Sequence, residues 1–404
     1  MGLAPYGQPK YVDVIKEHLI EIKEDGSFWL NQDYFNYCTG LTMTNERFSK
    51  LFGHPVRVAE DKLTDFHMDM AASVQQITEE IVLKIVSYLA KEFKPKNLCM
   101  AGGVALNCVA NGKIIKSNAY ENFWIQPAAG DAGGALGAAL LAYHKHFGQQ
   151  RKLVSPDLME GAYLGPAFPR DHVARDLNNI GAVYEELSDE ALMDRTSDSL
   201  QNNEVVGWFQ GRMEFGPRAL GNRSILGNPM SEETQKTMNL KIKFRESFRP
   251  FAPVVLREDV SEWFDLDQDS PYMLLVANVE DRKLRPITAD DNMLKGTDKL
   301  NIVRSEIPAV THVDNSARIQ TVDEKRNVRL HKLLTAFKEK TGSGVLVNTS
   351  FNVRGEPIVC NPRDAFRCFM GTHMDVLVIG NFYLKKTEQN PALLDDYSDM
   401  FELD

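Results

Sequence analysis

Cysteine is scarce in this sequence, and long apolar runs are missing. The five cysteines include no Cys-x-x-Cys pair, which argues against a zinc ribbon or a disulfide framework. No stretch approaches the roughly 18 apolar residues of a membrane span, and the N-terminus lacks the charged-then-apolar pattern of a signal peptide. These absences predict a protein of the reducing cytoplasm with no membrane partner.

Positive charge is in deficit as well. Lysine and arginine number 46 against 56 aspartate and glutamate residues, which gives a formal net charge of -10. Because nucleic-acid phosphates are neutralised by Lys and Arg gathered on one face, no nucleic-acid partner is expected. The Gly-x-Ser-x-Gly, His-Glu-x-x-His and Walker A patterns are absent too, so no serine-hydrolase, zinc-protease or P-loop site is predicted.

The chain of 404 residues is too long for one small core, so we expect two domains. Residues 69–93 repeat apolar side chains every three or four positions, which predicts a helix with one buried face. A short buried strand at 97–101 and a short strand at 122–125 alternate with helical patterns, one of which starts near Ala105. Such alternation indicates an α/β layer with parallel strands.

Residues 148–172 lose this periodicity, and we place a domain boundary there that divides the chain into residues 1–160 and 161–404. The second part has helical patterns near 231–242 and 327–340, and its apolar runs predict an α+β sheet domain. The predicted strands lie at 205–209, 253–256, 272–276, 344–347 and 375–379.

Two glycine-rich turns lie in the first part. Gly102 and Gly103 follow a strand and open a helix, where backbone N–H groups can meet a phosphate. Gly130 and Gly133 repeat the arrangement and add Asp131, a carboxylate suited to a divalent cation or to orienting a nucleotide. The alternative is that these are ordinary turn glycines beside a helix packed closely on a sheet.

Nine lysines and arginines are concentrated between residues 212 and 257 of this acidic chain. Arg218 and Arg249 lie in Gly- and Pro-containing loops, where a rigid backbone favours bidentate contacts to phosphate oxygens. This arrangement predicts an anion site, and a solvated surface is the alternative.

Two further polar segments carry chemistry. Asn348–Asn352 follows the predicted strand 344–347, at the end of a strand where α/β sheets commonly bind ligands, but taken by itself the segment is better explained as a capped turn. Residues 308–320 bring His312, Asp314 and Arg318 together. His312 suits an acid/base or anion-donor role, and a structural histidine is the alternative.

Taken together, the motifs resemble the O-carbamoyltransferase family, whose members modify nodulation factors, cephalosporins and aminoglycosides. The resemblance runs through essentially the whole chain, and the combination of motifs is highly specific. The motifs are GLAPYG at 2–7, GGVALN at 102–107, GDAGGALG at 130–137, EFGPRALGNRS at 214–224, FRPFAP at 248–253, THVD at 311–314 and NTSFN at 348–352.

The resemblance implies a fold and a reaction. It implies an actin-like ATPase domain (its C-terminal half in residues 1–160) followed by a YrdC-like α/β domain (161–404). The YrdC-like part would make carbamoyl-adenylate from carbamoyl phosphate and ATP, and the actin-like part would pass the carbamoyl group to a hydroxyl of a small-molecule acceptor. The implied cofactors are ATP with Mg²⁺ and a divalent metal, which is iron in intact family members.

The resemblance also implies residue roles. Lys243-x-Arg245 and Ser350-x-Asn352 match two elements of YrdC-like sites. Arg218, Arg249 and Arg318 would surround carbamoyl phosphate, and Asp131 would be a metal ligand. The predicted catalytic residues are Lys243, Arg245, Arg218, Arg318 and Ser350. The predicted substrate- and nucleotide-binding residues are Gly102, Gly103, Asn107, Gly130, Gly133, Arg249, His312, Asn348 and Asn352.

One family feature is absent from this sequence. Family members carry a metal-binding His-x-x-x-His pair in an N-terminal segment, and none of the nine histidines here has that spacing. We therefore expect the chain to lack the N-terminal part of the actin-like domain and to act as a homodimer or with that part supplied in trans. The alternatives are synthesis of threonylcarbamoyl-adenylate for tRNA modification, or a non-catalytic nucleotide-binding remnant.

Overall fold

The structure is a computed structural model that describes residues 1–58, 61–152, 158–245 and 248–394. The chain divides into two compact units. Unit 1 comprises Met1–Leu98, Val109–Trp124 and Thr288–Ile302, and unit 2 comprises the described residues of Cys99–Cys108, Ile125–Ile287 and Val303–Asp404. The predicted division between residues 160 and 161 stays a prediction.

The described residues form eleven α-helices joined by short 3₁₀ and π-helical turns. They are α1 (Val12–His18), α2 (Glu46–Phe52), α3 (Asp65–Phe93), α4 (Cys108–Lys116), α5 (Asp131–Leu141), α6 (Arg170–Asn179), α7 (Asp189–Gln201), α8 (Thr234–Thr237), α9 (Val260–Trp263), α10 (Val328–Thr341) and α11 (Pro362–Met370).

The strands of the described residues form three sheets, a hairpin of β1 and β2, a pair of β3 and β4, and one large mixed sheet ordered β5-β13-β12-β6-β7-β11-β8-β10-β9. The pairs β12/β6 and β8/β10 are parallel and the other pairs described in the large sheet are antiparallel. The strands are β1 (Ile20–Ile22), β2 (Phe28–Leu30), β3 (Asn97–Met100), β4 (Asn122–Ile125), β5 (Glu185–Glu186), β6 (Val206–Phe209), β7 (Arg223–Gly227), β8 (Ala252–Leu256), β9 (Leu275–Asn278), β10 (Ser316–Val322), β11 (Val345–Ser350), β12 (Val376–Ile379) and β13 (Phe382–Lys385).

Local sequence signals account for the helix ends. The Asn327 side chain accepts the Leu330 N–H at the start of α10, and Gly342 ends the helix in the left-handed region at φ +79°. At the start of α11, Asn361 and Asp364 exchange side-chain and backbone hydrogen bonds in a reciprocal cap. These caps satisfy terminal backbone groups that the helices cannot bond internally.

Each unit has its own apolar core. In unit 1 the buried side chains of α1 and the following strand pack on Ile77 and Ile81 of α3. In unit 2 the helices α7 and α10 cover one face of the large sheet. The fully buried residues there include Trp208, Leu226, Val254 and Leu346. This second core fixes the strands whose ends carry the predicted site residues.

Most predicted elements are confirmed, and the differences have local causes. The strand predicted at 272–276 lies instead at β9, because Met273 adopts φ +56°, which an extended strand does not allow. The helix predicted from about Ala105 begins at Cys108. A 3₁₀ turn precedes it, and the non-helical backbone of Asn107 separates the two. The prediction that β3 is buried was wrong, since Asn97 and Cys99 are exposed.

The polar segment 348–352 also differs from its prediction as a turn. Asn348 and Ser350 belong to β11, where Asn348 pairs with Leu226 on one side and Ala252 on the other. Strand hydrogen bonding on both sides therefore continues past the apolar run into the polar residues. This places polar side chains inside the sheet instead of in a loop beyond it.

The helix α5 consists of apolar and small residues after Asp131, yet none of its residues is buried. Leu140 and Leu141 are 47% and 62% exposed. An apolar helix that buries no face is typical of a surface that another polypeptide covers. None of the described helices combines the length and apolar character needed to cross a membrane. All five cysteines are free, as expected.

Candidate functional site

A loop between β6 and β7 is built around the buried carboxylate of Glu214. One oxygen, Oε1, accepts the backbone N–H groups of Leu220 at 2.7 Å, Asn222 at 2.8 Å and Arg223 at 3.3 Å. The other oxygen, Oε2, is buried with no hydrogen-bond partner among the described residues. Burial raises the pKa of Glu214, and the three backbone N–H groups oppose this rise.

Side chains from elsewhere in the chain hold the carbonyl groups of the same loop. Tyr163 and Gln320 both donate to the carbonyl of Leu220 at 2.8 Å. The Asn348 amide donates to the carbonyl of Ala219 at 3.3 Å and to the Gln320 side chain at 2.6 Å. Because Gln320 and Asn348 bond each other, they project from the same face of the sheet, and the loop lies over that face.

Arg218 lies in this loop, and its charge interacts with that of Arg318 on β10. Burial and then the repulsion by Arg318 lower the pKa of Arg218 to about 10, so the guanidinium remains protonated at neutral pH. The Nε of each arginine is buried, and neither has a hydrogen-bond partner among the described residues. Two guanidinium groups whose buried Nε donors lack an acceptor among the described residues are complementary to a dianion such as a phosphate.

The two glycine turns meet beside this loop. The Gly102 N–H donates to the carbonyl of Ala129 at 2.8 Å, and Gly102 adopts φ +96°, a conformation essentially restricted to glycine. A side chain at Gly216 would approach the Pro127 carbonyl to 2.9 Å, so the arginine loop packs against the second turn. Cys108, next to Asn107, is within electrostatic range of Arg218. The predicted phosphate-binding turns therefore adjoin the arginine pair.

The second glycine turn leads directly into α5. Gly130 caps the helix, and its carbonyl accepts the Gly133 N–H at 3.2 Å. A side chain at Gly133 would lie 2.1 Å from the Ala128 carbonyl, so only glycine permits this approach. The space above Gly102, Gly103 and Gly130 is open, which is compatible with a ligand.

Lys243 is a buried cation bonded to the end of β11. Its ammonium donates to the carbonyl of Ser350 and to the backbone and side-chain oxygens of Asn352, both at 2.8 Å, and lies 3.3 Å from the Ser350 hydroxyl. Burial, and next the charge of Arg245, lower the pKa of Lys243 to about 7. The structure thus brings together the two sequence elements that the resemblance paired.

Arg245 and Arg249 are joined through Asn239. The Nε of Arg245 donates to the Asn239 side chain at 2.8 Å, and Asn239 donates to the carbonyl of Arg249 at 3.0 Å. The Arg245 guanidinium also lies 5.0 Å from the centre of the Phe251 ring. Arg245 is within electrostatic range of Lys243, whereas Arg249 joins Arg245 through its backbone carbonyl. Strand β11 links this group to the loop that carries Arg218. Asn348 bonds the loop at Ala219, and Ser350, two residues further along the strand, bonds Lys243.

His312 is buried and lies 3.4 Å from the carboxylate of Asp314 through Nδ1. Asp314 also accepts hydrogen bonds from the backbone and hydroxyl of Ser316. Despite burial, these contacts lower the pKa of Asp314 to about 2. The carboxylate fixes the orientation of the ring, an arrangement used both in catalysis and in structural support.

Asp131 is exposed at the first position of α5. Among the residues that the structure describes, no group of three or more His, Cys, Asp or Glu side chains is arranged to hold a metal. One carboxylate does not make a stable metal site, which requires several protein ligands. The described residues therefore do not fit a resident metal by themselves, and the role of Asp131 stays a prediction.

The sequence motifs contained several supporting residues whose roles were not predicted. Glu214 stands in the segment 214–224, but its partners are backbone groups six to nine positions away, and only the folded loop reveals them. The roles of Gln320 and Tyr163 cannot be inferred from the sequence either, because both residues bond a loop that is far from them along the chain. A glutamate next to a Gly-Pro loop in an arginine-rich motif is the one signal that was available.

Comparisons with known proteins agree with these motifs. A family model described as Carbamoyltransferase N-terminus matches residues 1–140, and one described as Carbamoyltransferase C-terminus matches residues 197–386. The uncharacterised protein sll1178 of Synechocystis is 56% identical over 407 residues, which cover all of this chain and 66% of that protein.

Two relatives with functional names are also similar. Nodulation protein NolO of Bradyrhizobium diazoefficiens is 36% identical over 98% of this chain and 66% of its own length. The 3'-hydroxymethylcephem-O-carbamoyltransferase of Amycolatopsis lactamdurans is 30% identical over 96% of this chain and 64% of its own length. The chain thus spans about two thirds of the length of these relatives.

Proposed function

Because this chain belongs to the carbamoyltransferase family, we propose that it binds carbamoyl phosphate and ATP and forms carbamoyl-adenylate for transfer to a hydroxyl group. The arginine pair Arg218–Arg318 carries this proposal. The buried Nε atoms of these two guanidinium groups have no acceptor among the described residues, which suits a small phosphate-bearing dianion. A nodulation protein and a cephem O-carbamoyltransferase among the relatives support an acceptor that is a sugar or another natural product.

The residues divide the work between two substrates. Arg218 and Arg318 bind the phosphate of carbamoyl phosphate and stabilise it as it leaves. Lys243 and Arg245 provide the positive charge that the ATP phosphates need, and Ser350 and Asn352 orient the small carbamoyl group by hydrogen bonding. No covalent protein intermediate is required, which agrees with the absence of a nucleophile motif.

The proposed reaction has two balanced steps before transfer. Water cleaves carbamoyl phosphate to carbamate and inorganic phosphate, with one proton released. A carbamate oxygen then attacks the α-phosphorus of ATP, and the bond to the β-phosphate oxygen breaks, so pyrophosphate leaves and carbamoyl-adenylate remains. Both steps develop negative charge on phosphate oxygens, which nearby guanidinium and ammonium groups stabilise electrostatically.

For the transfer step we assign residues 1–160 to an actin-like ATPase domain and residues 161–404 to a YrdC-like domain. The acceptor hydroxyl would attack the carbamoyl carbon and release AMP. The relatives are longer than this chain, so we propose the transfer step for the chain together with whatever completes its actin-like domain. The exposed apolar face of α5 would be covered by a second copy or by a polypeptide in trans, and light scattering of the purified chain measures which assembly forms.

ATP–pyrophosphate exchange tests the adenylation step. The purified chain should exchange labelled pyrophosphate into ATP only when carbamoyl phosphate is present, and the Lys243→Ala variant should not. Arg170→Ala is the matched control because it removes one cation that is exposed and paired with Glu186, and it should exchange normally. No exchange by folded wild-type protein would contradict independent adenylation, and exchange driven by bicarbonate and threonine would favour threonylcarbamoyl-adenylate synthesis instead.

A further inference from the structure

We propose that Glu214 is a positioning residue that locks the loop of residues 215–222 so that Arg218 is held ready for the phosphate of the substrate. This inference rests on the proposed function for the identity of the anion. The part of the inference that concerns the structure of the loop is independent of the proposed function. The carboxylate does not face the arginine pair as an ion-pair partner. Its described hydrogen bonds are all to backbone N–H groups of the loop and of the first residue of β7.

The loop has no regular secondary structure that would fix its backbone. Its N–H groups at Leu220, Asn222 and Arg223 converge on the single oxygen Oε1, and the Gly221 N–H is taken by the Ser224 hydroxyl at 3.0 Å. Convergence of several N–H groups on one carboxylate oxygen produces charge-assisted hydrogen bonds, which are about twice as strong as neutral ones. The Glu214 side chain therefore holds the N–H groups at the C-terminal end of the loop, while Tyr163 and Gln320 hold the Leu220 carbonyl.

Arg223 holds the other side of the same hairpin. Its guanidinium is fully buried and donates to the carbonyls of Gln210, Asn222 and Pro166, at 2.7, 2.9 and 3.2 Å. It also lies 3.5 Å from the centre of the Phe209 ring. Glu214 thus accepts hydrogen bonds from the N–H groups of this segment, and Arg223 donates hydrogen bonds to its carbonyl groups. Arg212 and Arg223 both donate to backbone carbonyls, whereas the Arg218 guanidinium has no such hydrogen bond among the described residues.

Positioning matters at this site because Arg218 and Arg318 repel each other. Without an anion the two guanidinium groups would move apart if the loop were flexible, and the anion would then have to bring them together on binding. A rigid loop fixes the position of Arg218 beforehand, and such preorganisation improves affinity without a new contact. Misplacing such a group by about 1 Å reduces activity roughly 100-fold.

Hydrogen exchange in the full chain tests the loop directly. In Glu214→Ala the amides of Leu220, Asn222 and Arg223 should exchange roughly 10- to 100-fold faster than in wild type, the factor for losing a charge-assisted hydrogen bond. Amides of β6 and β12 should keep their protection, which separates loop release from global unfolding. Glu214→Gln retains an acceptor oxygen but forms only neutral hydrogen bonds, so it should restore part of the protection of the loop. Unchanged exchange in Glu214→Ala would overturn the inference.

Affinity for carbamoyl phosphate, measured by calorimetry, tests the consequence. Glu214→Ala should bind roughly 100-fold more weakly and Glu214→Gln within about threefold of wild type. Ser199→Ala is the matched control because it removes a buried hydrogen bond to Tyr383 away from the loop, and it should bind normally. If Glu214 served only the stability of the fold, the affinity of Glu214→Ala and of Ser199→Ala would fall in proportion to the stability that each variant loses.

A second variant covers the case in which Glu214→Ala does not fold. Glu214→Asp keeps the charge but withdraws the carboxylate by one methylene, so it should loosen the loop amides and weaken binding where Glu214→Gln does not. Equal affinity of wild type and Glu214→Asp would contradict positioning. If wild-type protein bound neither carbamoyl phosphate nor inorganic phosphate, the proposed function would fail, whereas the exchange data would still decide whether Glu214 holds the loop.

Discussion

Two groups of cations in unit 2 differ in how the protein treats their charge. The Lys243 ammonium has four oxygen atoms of Ser350 and Asn352 around it. The guanidinium of Arg218 is within electrostatic range of that of Arg318, and the buried Nε atoms of both arginines have no acceptor among the described residues. Protein oxygens therefore accept the hydrogen bonds of Lys243, whereas the Nε donors of Arg218 and Arg318 are left without an acceptor among the described residues.

This difference separates a cation that supports the fold in addition to its proposed role toward ATP from an arginine pair whose proposed role is binding alone. A buried cation surrounded by protein oxygens stabilises the local backbone, and removing it leaves several acceptors without a donor. Two cations without acceptors destabilise the folded chain slightly, and they are retained where an external anion completes them. The comparison therefore predicts that substitutions in the two groups act on different measured quantities.

The double variant Arg218→Ala/Arg318→Ala should show the largest effect. It should weaken carbamoyl-phosphate binding roughly 1,000-fold, because two charge-assisted contacts contribute about 1.5–3 kcal/mol each. The free energy of unfolding should fall little or rise, since the repulsion between the arginines is removed. Calorimetry and chemical denaturation measure the two quantities. A large loss of stability with unchanged binding would reverse the assignment of this pair as the binding group.

Lys243→Met should differ from the arginine variant by lowering stability as well as ATP binding. Methionine fills a similar volume but donates no hydrogen bond, so the free energy of unfolding should fall by about 3 kcal/mol as the oxygens at the end of β11 lose their donor. Urea denaturation gives this value. Arg170→Ala, which removes an exposed ion-paired cation, should stay within about 0.5 kcal/mol of wild type. Equal stability of Lys243→Met and wild type would show that the ammonium is not needed for support.

The acidity of Lys243 refines the comparison. Because burial and then Arg245 lower its pKa to about 7, the ammonium loses its proton as the pH rises through about 7. ATP affinity should therefore fall roughly tenfold between pH 6 and pH 8, corresponding to one charge contact. The ratio of wild-type to Lys243→Met affinity cancels the titration of ATP itself. A ratio that does not change with pH would mean that the charge of Lys243 does not contribute to ATP binding.

Ser350→Ala should give the smallest change. It removes one of the four oxygens near Lys243 and the 2.7 Å hydrogen bond from the Ser350 hydroxyl to the Asn352 side chain. The remaining oxygens keep the ammonium in place, so the free energy of unfolding should fall by only about 1 kcal/mol. Thermal denaturation beside Lys243→Met compares the two. A loss as large as that of Lys243→Met would show that the hydroxyl is the main acceptor.

The sequence predicted which residues line the candidate site better than it predicted the residues that hold them in position. Periodicity located α3, β4 and β12 to within a few residues because each carries a regular apolar pattern of its own. The pairing of Lys243 with Ser350 and Asn352 came from motif resemblance. Asn348 was expected in a turn, since a single strand gives no sign that its neighbours extend hydrogen bonding into polar residues.

The support of the arginine loop was beyond prediction for a different reason. Glu214 acts on backbone groups, which are the same in every sequence, so no residue pattern reveals them. Tyr163 and Gln320 reach the loop from 57 and 100 residues away in the chain. Such contacts depend on the completed sheet and not on any local propensity.

The parallel pairing of β6 with β12 has a consequence for biosynthesis. Val205 and Asp375, which are hydrogen-bonded at the start of these strands, are 170 residues apart in the chain. During translation one edge of β6 consequently waits unpaired until the last strands leave the ribosome, with its apolar residues accessible to other nascent chains. We expect this protein to fold slowly after synthesis and to depend on chaperones at high expression levels.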